Sequence, residues 1–573
     1  MPQLTAWFEA DPARFEWELQ QLESRGWAFE IDEAEQEQGN LLLRGVVPCS
    51  YGDRRLTVAF PYTYPEHRVE VFDETGDGVL PLHQEPYLGR LCLLENTSAA
   101  WTPNDSAAVM VERAIELFEA APKGETALEE LGVGAPEPRS TYYPYLTESS
   151  ALVPEGLLSE GDGGWFHFQL EGRGPHRGLI ARVDAPESGT TAEASEALRK
   201  LYRGEVIRGA WIRSEAPPPW IQEAGELERW AHEHVRAFPE WLRRESHWTR
   251  IGNEYFRVFA IVYQDDGPEG EHDQWLTCIA KGKRGKGGAT AVEGAGLLRP
   301  FIYSQPDQER RISSLVGMKN KRVAVIGLGT VGAPVALELA RTSLLEHLFL
   351  VDHDYYAVWN LVRHPLPIHE LGRAKAEAIA RQISFVAPEV STEAIKVKIG
   401  DATPGRTGAE QDLLTKLESC DLIIDATADG GTSRYLNRLS LQLGTPLLVA
   451  SVTEGAWGGE VVRCIPGKSG CYECYLWGLR EGSVPKPSQD LEASAVYTRG
   501  CGFPTFQGAG FDAVALATDV VRVAAAIFSD EKMRGPEDAI LIRHNRATTR
   551  ADFPRYELAR LEIHPRCSWH GSE

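Results

Sequence analysis

From Lys321 to Arg341 the chain changes character in blocks: a charged start, a β-branched apolar run at Val323, Val325 and Ile326, glycines at Gly327, Gly329 and Gly332, then an Ala/Leu-rich stretch. β-Branched residues suit a buried strand and an alanine- and leucine-rich stretch suits a helix, so the expected unit is strand, tight turn, helix. Further apolar runs end at Asp352 and Asp425, and Ala513 to Ile527 is predominantly apolar, which makes 308–573 one α/β domain. Nearer the N-terminus, Phe15, Leu19 and Leu22 recur with helical spacing, apolar runs cover 41–47 and 56–60, and a helical stretch runs from Ser106 to Ala121. Helix, antiparallel strands, helix predicts an α+β module over 1–121. Pro122 to Ser150 is rich in Gly, Pro, Thr, Ser and Glu and reads as a flexible linker that lets this module swing. Residues 151–307 alternate strand-like runs (165–170, 178–183, 255–263) with a helical stretch from Ile221 to Arg244, giving a middle α+β domain. The expected fold class is therefore multidomain α/β.

Composition narrows the function. A chain of 573 residues exceeds one core, and its net charge of −24 argues against nucleic acid or an anionic membrane as the main partner. No run reaches the ~18 apolar residues of a membrane span, and the first residues are acidic where a signal peptide is basic. Nine cysteines, an odd count, fit a reducing compartment in which thiols act as ligands or nucleophiles, so the cytoplasm is expected.

The Gly327, Gly329 and Gly332 turn lets backbone approach a phosphate at a helix N-terminus, and Asp352, ending the next strand, suits a ribose hydroxyl. Such glycines also serve helix–strand packing alone. The polar residues beyond Asp352 favour a nucleotide with its metal over a dinucleotide: Asn360-Leu-Val-Arg363, Gly372-Arg-Ala-Lys375 at a helix start, and Asp425 at the end of a strand. Gly327 to Asp429 resembles the Rossmann-like adenylation domain of ubiquitin-activating enzymes and of bacterial sulfur-carrier adenylyltransferases, the ThiF type. The resemblance implies ATP and Mg²⁺, with Asp352 on the ribose, Asn360, Arg363 and Lys375 around the triphosphate, and Asp425 near magnesium. In that family the strand is followed by Asp-x-x-Asp-Asn. This chain reads Asp425-Ala-Thr-Ala-Asp429, with the second acid one place late, and Asp429 is left outside the expected set.

In the first module Tyr64-Pro65, His83, Cys92 between leucines, and Trp101-Thr-Pro103 occur in that order. The order resembles a ubiquitin-conjugating enzyme, which implies Cys92 as a thioester carrier with His83 beside it. The family's His-Pro-Asn reads His83-Gln84-Glu85 here, so the asparagine that would stabilise an oxyanion is missing. A buried structural thiol and an ordinary histidine are the plain alternatives. The position of the middle domain suggests the inactive adenylation-like half of some activating enzymes.

Cys471-x-x-Cys474 and Cys567-x-x-His570 supply four soft ligands at zinc spacing, a structural Zn²⁺ site unless they form a redox disulfide or unrelated thiols. Cys501 comes after a polar segment and precedes a Gly-rich turn into a helix, where dipole and N–H groups favour thiolate. The family resemblance places the activating enzyme's thioester cysteine there. With a conjugating module first and an activating module last, the chain resembles the fusion proteins of bacterial CBASS antiphage operons. That implies a homodimer acting on the C-terminus of a cGAS-like nucleotidyltransferase or a ubiquitin-like protein, and then transfer to target proteins. A sulfur-carrier adenylyltransferase and a non-catalytic scaffold are the rivals.

Overall fold

The structure is a computed structural model. It describes the chain apart from residues 1–4, 77–79, 81–82, 86–87, 95–100, 132–137, 158–160, 173–176, 186–188, 220–225, 228, 231–232, 234–247, 268–269, 286–289, 402–407, 493–495, 498–503, 506, 530–538, 547–553 and 571–573. Two compact units divide it, Met1–Ala194 with Tyr202–Tyr303, and Ser195–Leu201 with Ser304–Glu573.

The first unit opens with α1 (Pro12–Glu23), a four-stranded antiparallel meander of β1 (Phe29–Ile31), β2 (Leu41–Val47), β3 (Arg54–Phe60) and β4 (Glu70–Asp73), and α2 (Ala107–Ala120). Leu41, Leu43 and Val47 alternate inward from β2 to meet Leu22 of α1 and Val111, Ala114 and Leu117 of α2. The expected α+β order holds for this module.

The stretch expected to be a free tether is partly built. α3 (Glu125–Leu131) packs Leu128 and Leu131 onto the core of the first module, and Arg113 of α2 donates to Leu131 O at 3.1 Å. A short 3₁₀ turn, Arg139–Tyr142, comes next, and the buried Tyr143 donates its hydroxyl to Pro218 O at 2.8 Å. Composition suggested a linker because polar and small residues predominate; a few apolar side chains and one carboxylate suffice to fasten it.

The middle of the chain departs from the α+β expectation. Strands β5 (Tyr145–Pro154), β6 (Gly163–Leu170), β7 (Arg177–Ala185), β8 (Thr190–Glu193), β9 (Val206–Arg213), β10 (Thr249–Ile251), β11 (Glu254–Gly267), β12 (Gly270–Arg284) and β13 (Thr290–Tyr303) form one sheet. Its path β11-β12-β13-β5-β7-β6-β9 returns to β11 through a parallel β9–β11 pairing, so the sheet closes into a barrel. This is not the α+β, inactive adenylation-like half expected there. Strand period decides: Phe166, Phe168 and Leu170 alternate into the interior beside Val258, Ala260 and Val262. Phe259, Ile261 and Tyr263 bury the outer face of β11 in a second cluster, which is why that strand reads as continuous hydrophobicity. Most of the helical stretch expected at Ile221 to Arg244 lies outside the described residues.

The second unit is the expected α/β domain. Strands β14 (Arg322–Ile326), β15 (His347–Val351), β16 (Ser391–Ile395), β17 (Leu422–Asp425) and β18 (Leu447–Val452) are parallel in the order β16-β15-β14-β17-β18. Antiparallel β19 (Gly458–Cys464), β20 (Ile540–His544) and β21 (Arg555–Ala559) extend it. α4 (Gly332–Arg341), α5 (Lys375–Val386) and α9 (Gly510–Phe528) cover one face, while α6 (Gly408–Glu418), α7 (Gly430–Leu443) and α8 (Tyr472–Glu481) cover the other. Strand order reverses direction between β14 and β17, where an open α/β sheet forms its ligand crevice. Among the described residues no helix is long and apolar enough to cross a membrane.

Candidate functional site

A cleft of about 810 Å³ opens at the carboxyl ends of β14, β15 and β17, lined by Gly327, Gly329, Asp352, Asp354, Lys375 and Asp429, among others. The glycine turn divides into two roles. A Cβ on Gly332 would lie 1.8 Å from Gly327 O, so that glycine serves the contact of α4 with the turn. Around Gly329 a Cβ would meet no protein atom within 4 Å, so the bare backbone there is left for something outside the fold. Because it also lines the cleft, this glycine leaves room for a phosphate to approach the backbone.

Asp352 organises the cleft floor. One carboxylate oxygen accepts from Leu328 N at 2.7 Å and the other from Asp354 N at 2.8 Å, and the side chain still lines the cleft. Each oxygen keeps a lone pair for a ribose hydroxyl. Lys375, nearly buried, begins α5, where a helix N-terminus disfavours a cation by roughly 0.3–1 kcal/mol. Its Nζ is held by Asp354 at 2.9 Å. Burial works to raise the Asp354 carboxyl, but the charge and hydrogen bond of Lys375 hold it below its ordinary range. A buried ammonium facing a cleft suits an anionic ligand.

His364 went unnoticed in the sequence. Buried, it joins the glycine turn to the Asn360–Arg363 segment: Nε2 donates to Leu328 O at 2.9 Å and Nδ1 accepts from Leu366 N at 3.3 Å. Burial pushes its pKa down to about 4, so the ring is neutral and this tautomer is fixed. Asn360 spends Oδ1 on Ala357 N at 2.9 Å, and Arg363 is half-buried, its guanidinium pushed down by burial. Neither lines the described cleft; the two stand on the segment that His364 ties to its rim.

The magnesium expectation needs correction. Asp425 is fully buried, with one oxygen accepting from Thr427 N at 2.9 Å and Thr427 Oγ1 at 2.6 Å and the other from Ser433 Oγ at 2.6 Å. Three hydrogen bonds hold it beneath the floor, away from the cleft lining, and burial pushes its carboxyl up. Asp429, set aside in the sequence for its slipped spacing, is the acid that lines the cleft. The extra residue is absorbed by Ala428 in the left-handed region at φ 53°, which brings Asp429 to the N-cap of α7, where Thr432 N donates at 2.7 Å. That hydrogen bond holds the Asp429 carboxyl below its ordinary range, leaving an ionised hard oxygen donor of the kind Mg²⁺ takes.

Cys471, Cys474, Cys567 and His570 converge as expected, with ligand atoms all within 4.8 Å of one another. Cys471 Sγ stands 3.8 Å from Cys474 Sγ and 3.5 Å from Cys567 Sγ, and His570 Nε2 is buried without a hydrogen-bond partner. Three thiols and an orphaned imidazole nitrogen fit a tetrahedral zinc. A hydrogen bond from Cys474 draws the Cys471 thiol below its ordinary range.

Cys501 lies outside the described residues. Val496–Tyr497 before it pairs antiparallel with Pro504–Thr505 after it. Cys92 follows the isolated bridge of Leu91 with Gln84; Leu91 and Leu93 are buried on either side of it, and the thiol is half-exposed. Its N–H donates to His83 O at 3.0 Å, bringing the two expected residues side by side, although His83 itself is buried. The turn joining them requires Gly89 at φ 74°, where a Cβ would strike Asp73 O at 2.3 Å.

Residues 311–528 match the ThiF family. An uncharacterized protein y4oA of Sinorhizobium fredii is 25% identical over 99% of this chain and 98% of its own length. The sulfur carrier protein ThiS adenylyltransferase of Escherichia coli is 30% identical over 28% of the chain, and the ATP-dependent ubiquitin transferase-like protein Cap2 of Escherichia coli is 26% identical over 34%. The matches span 59% and 32% of those two proteins. The second unit of this chain carries a ThiF-type adenylation domain.

Proposed function

We propose that the chain activates the C-terminal carboxylate of a small protein by ATP-dependent adenylation and passes the acyl group along two cysteines to an amine. The observation that carries the reading is the cleft itself: a bare Gly329, an immobilised Asp352, a buried Lys375 and the ionised Asp429 converge at the switch point of a ThiF-type domain. Its relatives include proteins named adenylyltransferase and ubiquitin transferase-like.

A carboxylate oxygen attacks the α-phosphorus of ATP, forming the acyl adenylate as pyrophosphate leaves. Lys375, with Arg363 on the tethered segment, offsets charge on the departing phosphates. Asp352 fixes the ribose and so the line of attack. Asp429, rather than Asp425, would hold Mg²⁺, which supplies charge neutralisation at the phosphate oxygens. The thiolate of Cys501 then attacks the acyl carbon and AMP leaves; Cys92 takes the acyl group by thiol exchange, and an amine finally displaces Cys92. Cys471, Cys474, Cys567 and His570 would hold a zinc that fastens the end of the domain to α8. The first module supports the conjugating half of the reading through its helix, its four-stranded meander and a half-exposed Cys92 beside His83. A ubiquitin-like protein or the tail of a cGAS-like nucleotidyltransferase in antiphage defence is the cargo class, acted on by a homodimer.

Exchange of labelled pyrophosphate into ATP, and non-reducing gels of the full chain with candidate cargo, test the reading. Cys501→Ala abolishes both thiol-sensitive adducts and Cys92→Ala only the second. Persistence of a cargo adduct in Cys501→Ala overturns the relay. The 30% identity to the ThiS adenylyltransferase favours a second reading, sulfur-carrier activation, in which Cys92→Ala changes nothing.

A further inference from the structure

Among the described residues beside His83, no side chain stands in for the asparagine of the conjugating family. A thioester carrier uses a hydrogen-bond donor beside its sulfur, and the two residues after His83 bind backbone N–H groups through their side-chain oxygens. Gln84 is buried with Oε1 accepting from Leu80 N at 2.9 Å, and Glu85 carries a carboxylate that accepts from Leu88 N at 2.7 Å. A carboxylate has no proton to donate at neutral pH.

A donor arrives from 50 positions further along the chain. The hydroxyl of Tyr142 stands 3.9 Å from Cys92 Sγ. Its placement is over-determined. Tyr142 ends the 3₁₀ turn Arg139–Tyr142, whose first two N–H groups, from Arg139 and Ser140, donate to the two oxygens of Asp265 at 3.1 Å each. Asp265 is 1% exposed and sits on β11 of the barrel, so its carboxylate caps the turn from a rigid element. On the other side Tyr143 is buried, and Tyr145 donates to Ser140 O at 2.5 Å. A segment whose composition reads as a swinging tether is instead clamped so that one phenol faces the thiol.

We propose that Tyr142 is a hydrogen-bond donor of the Cys92 site, a catalytic residue supplied by the barrel-anchored turn. This deepens the acyl-carrier reading of Cys92 and rests on it. While Cys92 is a thiol either partner can donate; once it is a thiolate it only accepts, so the phenol O–H must point at sulfur and favour the ionised form. In the transfer step an amine nitrogen forms a bond to the thioester carbon, the carbonyl π electrons move onto oxygen, and the amine proton passes to solvent. The Tyr142 O–H hydrogen-bonds the oxyanion without losing its proton, and collapse of the intermediate expels Cys92 as thiolate. Apo contacts of this kind are commonly long and shorten in the reacting complex.

The test bypasses the nucleotide. The full chain carrying Cys501→Ala is acetylated with S-acetyl-N-acetylcysteamine, acetyl on the Cys92 peptide is tracked by mass spectrometry, and its release to hydroxylamine is timed. In parallel the pH dependence of Cys92 alkylation by iodoacetamide is measured. Tyr142→Phe, which removes one oxygen and keeps the ring, is expected to slow release at least about tenfold and to move the alkylation profile to higher pH. Unchanged release or an unmoved profile overturns the donor role. Faster alkylation at every pH marks Tyr142 as a cover over the thiol and overturns it too. A Cys92 that takes no acetyl overturns both this assignment and its carrier role, whereas failure of ATP-dependent charging removes only the adenylation step and leaves these results standing.

Discussion

The cleft beside Gly329 and the surroundings of Cys92 hold their polar groups in place by opposite means. In the cleft, each key side chain is held by groups close in sequence or on adjacent strand ends: Asp352 by Leu328 and Asp354, Lys375 by Asp354, Asp429 by Thr432. At Cys92 the local turn provides His83 and a backbone bond, while the hydroxyl comes from Tyr142 and its anchor from Asp265. A site assembled from neighbours survives if the sheet does. One assembled from distant segments depends on how those segments dock.

The largest effect that would break this contrast is expected at Asp352. Asp352→Ala removes the acceptor that pins Leu328 of the glycine turn, the acceptor that holds Asp354 N and, on the proposed reading, the ribose contact, and ATP–pyrophosphate exchange should fall by about 10³ or more; a loss under tenfold would show that the turn is held by something else. The glycines sharpen the same point. Gly332→Ala forces a Cβ into Gly327 O and is expected to cost about 3 kcal/mol in denaturant unfolding of the second unit. Gly329→Ala should change stability by less than about 0.5 kcal/mol while weakening ATP binding measured by calorimetry.

His364 gives the pH test. Its folded pKa of about 4 lies below the ordinary value near 6.5, so the unfolded chain binds the extra proton first. Stability is therefore full above about pH 6.5 and falls as pH drops toward about 4, with a slope of up to about 1.4 kcal/mol per pH unit from this group. His364→Gln should flatten that part of the melting-temperature profile; an identical slope in the variant would place the titration elsewhere. The smallest effect is expected at Asp265→Asn, which weakens the cap of the Tyr142 turn by about 1 kcal/mol. It should slow acetyl release from Cys92 a few-fold without altering pyrophosphate exchange. An equal loss in both assays would erase the separation of the two sites.

Legibility tracked the same divide. The glycine turn, Asp352 and Lys375 could be read because strand period, helix period and short spacings fix them within one α/β crossing. The zinc-type cluster was readable for a similar reason, since each ligand pair sits three positions apart. Asp425 was misjudged because spacing alone does not distinguish an acid facing a cleft from one committed to Thr427 and Ser433 beneath it. A single left-handed residue, Ala428, moved the outward acid one place along. The barrel was missed because its closure depends on non-local pairings, β9 with β11 and β13 with β5, that no local pattern records. Tyr142 was hidden for the same reason, its neighbours being chosen by docking.

That closure has a further consequence. A sheet that ends presents a row of backbone donors and acceptors that any extended peptide can join; a sheet whose outermost strands have found each other does not. Beyond the short β8 and β10, this ring offers strangers little main chain to zip onto. If the chain handles the loose tails of other proteins as proposed, it is thereby spared from capturing them along its own middle.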